Sequence, residues 1–166
     1  KGLCEIAMIT APYNTEEFHV LPVYEEPWMA VIPKGHLLYS EENAPVKPKE
    51  LLPYDLLIPS RGSRKGEIDK WFEKTGQMPV IRGRVAHMMN AYELSLHGVG
   101  ISIYPASISA LIRDRDVCMR QVDHPDAHAS YALIWKRNHT LSHVAEEFIQ
   151  SVQEILLLTR GITELK

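Results

Sequence analysis

The run from Pro59 to Ser107, PSRGSRKGEIDKWFEKTGQMPVIRGRVAHMMNAYELSLHGVGISIYPAS, restricts the fold more than any other part of the chain. A basic, glycine-containing loop opens a helix, predicted over Arg64–Thr75. Ile68, Trp71 and Phe72 share one face of it, Ser63 stands at the N-cap and Gly76 lies just past the end. VIRGRV over Val80–Val85 alternates as a strand does. Met88–His97 is a second helix with Met88, Ala91, Tyr92 and Leu94 inward, stopped by Gly98. Val99–Tyr104 is an apolar central strand. Pro105 suits the first turn of a further helix carrying Ile108, Leu111 and Ile112. Strand ends that feed helix starts are where open α/β sheets hold their ligands, so this stretch points to a small-molecule site.

The remaining segments extend the same alternation. Leu3–Thr10 reads as a buried parallel strand, Phe18–Ile32 as a long strand ending in the turn Pro33-Lys34-Gly35-His36, and residues 40–50 as a polar surface loop. Asp55–Ile58 is a buried strand, and Val117–Val122 and Tyr131–Trp135 are further strands. Ser142 caps a final helix whose apolar stripe runs through Val144, Phe148, Val152, Ile155 and Thr159, widened by Ile149 and Leu156. Strands alternating with helices give an α/β class with a mainly parallel sheet.

Composition narrows the function. The chain has 166 residues, 45% apolar and 23% charged, which suits one globular domain or two small lobes. The net charge of -3 argues against nucleic-acid binding by this chain alone. Cys4 and Cys118 are isolated, so a reducing cytoplasmic setting is expected, with Cys4 a small buried hydrophobe. No apolar run reaches the length of a membrane span. The chain opens on KGLCEIAMIT, without Met and already in strand-like sequence, and is expected to be a piece of a longer protein.

The loop Ser60-Arg61-Gly62-Ser63-Arg64-Lys65 holds two hydroxyls and three cations ahead of a helix N-terminus. There the free N–H groups and the dipole favour a carboxylate or other small oxyanion. It lacks the GxxxxGK[ST] pattern of a phosphate loop, and from these residues alone a capped helix with solvated charges stands level with an anion site. Gly98-Val99-Gly100 follows a helix and reads as a stop with tight packing, not as a dinucleotide fingerprint. The eight histidines show no HExxH or Cys/His zinc spacing and read as surface residues, so no metal or cofactor is called for. His87 is the exception, placed to face the same cleft as Ser60. A Ser60–His87 triad would need a GxSxG elbow and a fixed acid, and neither is present, so the chain does not read as an enzyme.

The order of these motifs resembles the effector-binding domain of LysR-type transcriptional regulators. GLCEIAMIT is similar to the family's G-x-L-D-x-A-I strand, with Cys4-Glu5 in place of Leu-Asp. LPVYEEPWMAVIPKGHLL is similar to its crossing strand, with Leu37 where proline is common. LLIPSRGS, AYELSLHGVGISIYPASI and ALIWKRNHTLSHVAEEFI follow in the family's order. The resemblance implies two Rossmann-like lobes of the type II periplasmic-binding-protein kind, with crossovers near Lys34–His36 and Asp126–Ala129. Residues 1–35 and 128–166 would form an incomplete lobe I, and residues 36–127 lobe II. A small, anionic effector would bind between them, touching Thr10, Ala11, Ser60, Arg61, Gly62, Ser63, His87, Tyr104 and Pro105. DNA would be bound only through a helix-turn-helix outside this chain. A solute-binding protein, or an amino-acid-sensing domain of a transporter or enzyme, is the alternative on the same fold. Lobe I would also present an open strand edge at Leu3–Thr10 and an apolar helix face at Val144, Phe148 and Val152, from which self-association is expected.

Overall fold

The computed structural model describes residues 4–42, 44–61, 64–110 and 116–163. In chain order the elements are β1 (Ile6–Thr10), β2 (Phe18–Pro33), α1 (Pro48–Leu51), β3 (Asp55–Pro59), α2 (Arg64–Phe72), β4 (Val80–Val85), α3 (Met88–Leu96), β5 (Ile101–Pro105), β6 (Val117–Gln121), β7 (His128–Lys136) and α4 (His143–Thr163). Short 3-10 turns follow α2 and β5, at Glu73–Thr75 and Ala106–Ala110. Contacts divide the chain into two compact units. Unit 1 holds residues 1–25 and 130–166, and unit 2 holds residues 26–129. Residues 26–35, placed with lobe I on the family pattern, fall in unit 2 because the second half of β2 pairs with β5 and β6.

Unit 2 is a sheet ordered β6-β2-β5-β3-β4. β3, β4 and β5 run parallel, whereas β2 is antiparallel to both β5 and β6. Side chains alternate across a strand, so Trp28 and Val31 of β2 fall on opposite faces. Val31 packs with Ala91, Tyr92, Tyr104 and Ile108 beneath α3. Trp28 meets Trp71 of α2 with ring centroids 5.7 Å apart. Cover on both faces is why β3 and β5 read as continuous apolar runs: Leu56, Leu57, Ile58, Ile101 and Ile103 are all buried. α2 ends at Phe72, short of the expected Thr75; the last turn tightens to 3-10 over Glu73–Thr75, and Gly76 closes that turn with a left-handed φ of 70°. Gly100 lets β5 press on β3, because a Cβ there would lie 2.7 Å from the Asp55 carbonyl oxygen.

One helix face differs from the expected one. In α3, Leu94 is exposed and Ser95 is fully buried. Spacing by three and four carries Ala91 and Tyr92 to Ser95 rather than Leu94. Burying the hydroxyl is tolerated because it is fully hydrogen-bonded: Ser95 Oγ donates to the Gly100 carbonyl at 2.8 Å and meets Ser102 Oγ at 2.5 Å, and Ser102 Oγ donates to the Ala91 carbonyl at 2.8 Å.

Unit 1 is a sheet ordered β1-β7-β2 with α4. β1 was expected parallel and buried. It is antiparallel to β7, from Ile6 opposite Trp135 to Thr10 opposite Tyr131, and only half-buried, with Met8 exposed. The mainly parallel sheet thus reduces to β3, β4 and β5, because β2 and β7 enter against their neighbours. Cys4, expected buried, is exposed: it precedes β1 and gains no cover from the sheet. α4 turns Ala145 and Ile149 inward and half-buries Val152 and Leu156. Val144, Phe148, Ile155, Leu157 and Leu158 stay exposed. Ser142 caps this helix, its Oγ accepting from Ala145 N–H at 3.3 Å.

Candidate functional site

Three parallel strands of unit 2 end on the same edge: β3 at Pro59, β4 at Val85 and β5 at Pro105. The Val85 carbonyl ties them together. It accepts from Ser60 N–H at 3.0 Å and from the Tyr104 hydroxyl at 2.8 Å. Tyr104 is buried, and burial pushes its hydroxyl up to about 12, so it stays protonated and keeps donating to Val85 at neutral pH. Its role in this structure is to hold the strand ends in register. Pro105 is buried beside it, opposite Trp28 of β2.

The exposed rim of this edge carries Ser60, Arg61 and His87. His87 is the N-cap residue of α3 in extended conformation, and its carbonyl accepts from Ala91 N–H at 3.2 Å. Its side chain makes no capping hydrogen bond. Arg61 closes the turn into α2, its carbonyl accepting from Arg64 N–H at 3.0 Å. Gly62 and Ser63 lie outside the described residues, so the expected Ser63 cap does too. Thr10 and Ala11 end β1 in unit 1, half-buried, with Ala11 N–H donating to the Ser130 carbonyl at 2.9 Å.

The three cations of the loop part company. Arg64 is buried, pairs with Glu67 at 2.5 Å and lies 5.4 Å above the Trp28 ring. Lys65 is bound to Asp69 one turn along α2. Among the described residues Arg61 is the cation of this loop left without an ion pair. Its charge is therefore the one available to an anion. The burial of Arg64 was not legible, because it depends on Trp28, which lies far back in the sequence. Glu26, two residues before Trp28, was also missed. It is buried and accepts from Ser107 N–H at 2.5 Å, capping the turn after β5. Among the described residues no cluster of His, Cys, Asp and Glu could hold a metal ion. No described helix is long and apolar enough to cross a membrane.

The family model described as "LysR substrate binding domain" matches residues 1–156. The chain belongs to that family. A relative from Mycobacterium leprae (strain TN), described as a probable hydrogen peroxide-inducible genes activator, is 26% identical over 107 residues. The match covers 64% of this chain and 34% of the relative, so the chain spans about a third of that protein's length. Among solved structures, the effector-binding domain of QuiR in complex with shikimate superposes with a TM-score of 0.77 at 19% identity, covering 92% of this chain and 71% of that one. The regulatory domain of Synechocystis PCC6803 CcmR in complex with 2-PG gives 0.77 at 12% identity, covering 92% and 73%. At these identities the likeness establishes the fold: a mixed α/β sheet of the LysR effector-binding kind. Family and relative are those of transcriptional regulators, not of enzymes.

Proposed function

We propose that this chain is the ligand-sensing part of a LysR-type transcriptional regulator, binding a small oxyanion-bearing metabolite at the Ser60–His87 edge of unit 2 and performing no catalysis. The observation that carries the reading is the convergence of three parallel strand ends beside the N-terminus of α2, with Arg61 the loop cation that has no ion pair among the described residues. Ser60 supplies a hydroxyl and His87 a ring nitrogen on the same rim. The family resemblance adds Thr10, Ala11, Gly62 and Ser63. The ligands of QuiR and CcmR, shikimate and 2-PG, suit the same chemical class. DNA would be read by another part of the protein, in a setting inside the cell, and the two-lobe division with self-association follows the family pattern. In the regulator, a bound ligand would shift the balance between two arrangements by the difference in its affinity for them.

Calorimetric titration with shikimate, 2-PG and benzoate tests this. A carboxylate that binds the chain should bind about tenfold more weakly to Arg61→Ala, as expected for one lost charge-assisted hydrogen bond. Carboxylates whose affinity ignores both Arg61→Ala and Ser60→Ala would place the site elsewhere. A gel-shift showing sequence-selective, salt-sensitive DNA binding by this chain alone would overturn the division of labour.

A further inference from the structure

Unit 2 has a cavity of about 310 Å³, lined by Pro33, His36, Pro53, Tyr54, Asp55 and the Gly98–Ile101 segment. It lies where β3 and β5 begin, whereas the oxyanion edge lies where they end. A strand advances about 3.3 Å per residue, so the length of β5 separates the two places by roughly 13 Å. The cavity and the oxyanion edge share no residue.

We propose that this cavity is a second ligand site, for a small ring bearing an amidine or amine. Three observations carry the assignment. First, its wall is built rather than incidental. Gly98 holds a left-handed φ of 74° to end α3, and Gly100 packs so closely on the Asp55 carbonyl that no side chain fits there, so β5 starts in direct contact with β3. Second, the lining offers flat and apolar surface from Pro33, Pro53, Val99 and Ile101, beside a Tyr54 ring that meets His36 edge-on at 4.5 Å. Such surface accepts a ring.

Third, the lining is acidic where the opposite edge is basic. Asp55 is the acidic residue among those that line it. His36 Nδ1 accepts from Leu38 N–H at 3.1 Å, which leaves the proton of a neutral ring on Nε2. Burial holds His36 below the usual imidazole range, so it adds no positive charge at neutral pH. Asp55 has one ion-pair partner among the described residues, Arg82 at 3.7 Å, and both side chains are well exposed. An exposed pair of that length contributes little, so a ligand's N–H groups can displace it. An amidinium matches a carboxylate with two parallel N–H bonds, as a guanidinium does. Anionic effectors would be repelled here and drawn to the other end.

Benzamidine is the probe, with benzoate as the charge-reversed control. In amide-resolved NMR titrations, benzamidine at millimolar concentration should shift Tyr54, Val99 and Ile101 saturably, and benzoate should not. Asp55→Asn should weaken benzamidine about tenfold. Val99→Trp, made at an exposed side chain and so tolerated by the fold, should abolish binding by filling the cavity. Arg82→Ala should tighten binding by removing the competing cation. Absence of shifts at these amides, or an affinity that ignores both Asp55→Asn and Val99→Trp, would overturn the assignment. Because the readout is confined to this end of the sheet, it stands or falls separately from the oxyanion site.

Discussion

The helices α2 and α4 both carry apolar stripes, and the two units treat them differently. Trp71 and Phe72 of α2 are 1% and 0% exposed, pressed between the sheet and their own helix. Phe148 and Ile155 of α4 are 50% and 59% exposed, although α4 has the more regular stripe in sequence. Unit 2 covers its sheet on both faces. In unit 1, β1 is an edge strand that pairs with β7 alone among the described residues, and α4 turns Ala145 and Ile149 fully and Val152 and Leu156 partly into packing. Periodicity therefore reports that a helix has an apolar face. It does not report how much of that face finds cover.

The difference is sharpest when one aromatic is truncated in each unit. Phe72→Ala should cost about 3–5 kcal/mol of unit 2 stability, because a full ring leaves a closed core. Phe148→Ala should cost less than about 1 kcal/mol in unit 1, because half the ring is already in water. Urea unfolding followed separately in the two units by hydrogen exchange would show it, and equal losses would erase the contrast.

Gly100→Ala comes next. Its new Cβ would meet the Asp55 carbonyl oxygen at 2.7 Å, where backbone must move, so a loss of about 1–3 kcal/mol in unit 2 is expected. No change in the urea midpoint would mean that β3 and β5 part easily.

In unit 1, Ser142→Ala removes the cap of α4 and should cost about 1 kcal/mol, read as fraying of the first turn. Ser142 also binds Glu5, donating its hydroxyl and its N–H to the carboxylate, each at 2.7 Å. Those two donors, the hydroxyl first, hold the Glu5 carboxyl below the usual carboxylate value. The stabilisation is therefore fully present above that usual value and is lost as pH falls through the lowered one. An acid titration of Glu5 by NMR should move back toward the ordinary value in Ser142→Ala. An unchanged titration would detach the cap from Glu5.

The smallest effect on stability belongs to the exposed stripe. Replacing Val144 and Ile155 together by Lys should shift the urea midpoint by no more than about 0.5 kcal/mol equivalent. The same change should abolish the concentration-dependent light scattering expected of a chain that covers this face with a second copy. A wild-type chain that stays monodisperse and monomeric at high concentration would remove the second copy as the cover.

Much of unit 2 was legible because its signals are local. The alternation of VIRGRV, the glycines that close the turn after α2 and the end of α3, and the apolar run into Tyr104 each act within a few residues, and they locate the strand ends where Ser60 and His87 sit. What was not legible depends on distant partners. Leu94 and Ser95 exchange places because Ser102 offers a hydroxyl. Tyr104, a candidate lining residue, gives its hydroxyl to the Val85 carbonyl. Arg64 looked like one of three free cations until Trp28 and Glu67 took it.

By itself the sequence determined the class of fold and the order of its elements, because period, caps and turn residues act over the span of a single element. Only the tertiary structure decided strand direction at β1 and β2, which of the loop cations remains unpaired, and that Asp55, Tyr54, His36 and Gly100 share one wall. Each of those outcomes depends on segments far apart in the chain meeting, and their contact, not their local preference, sets burial and charge pairing.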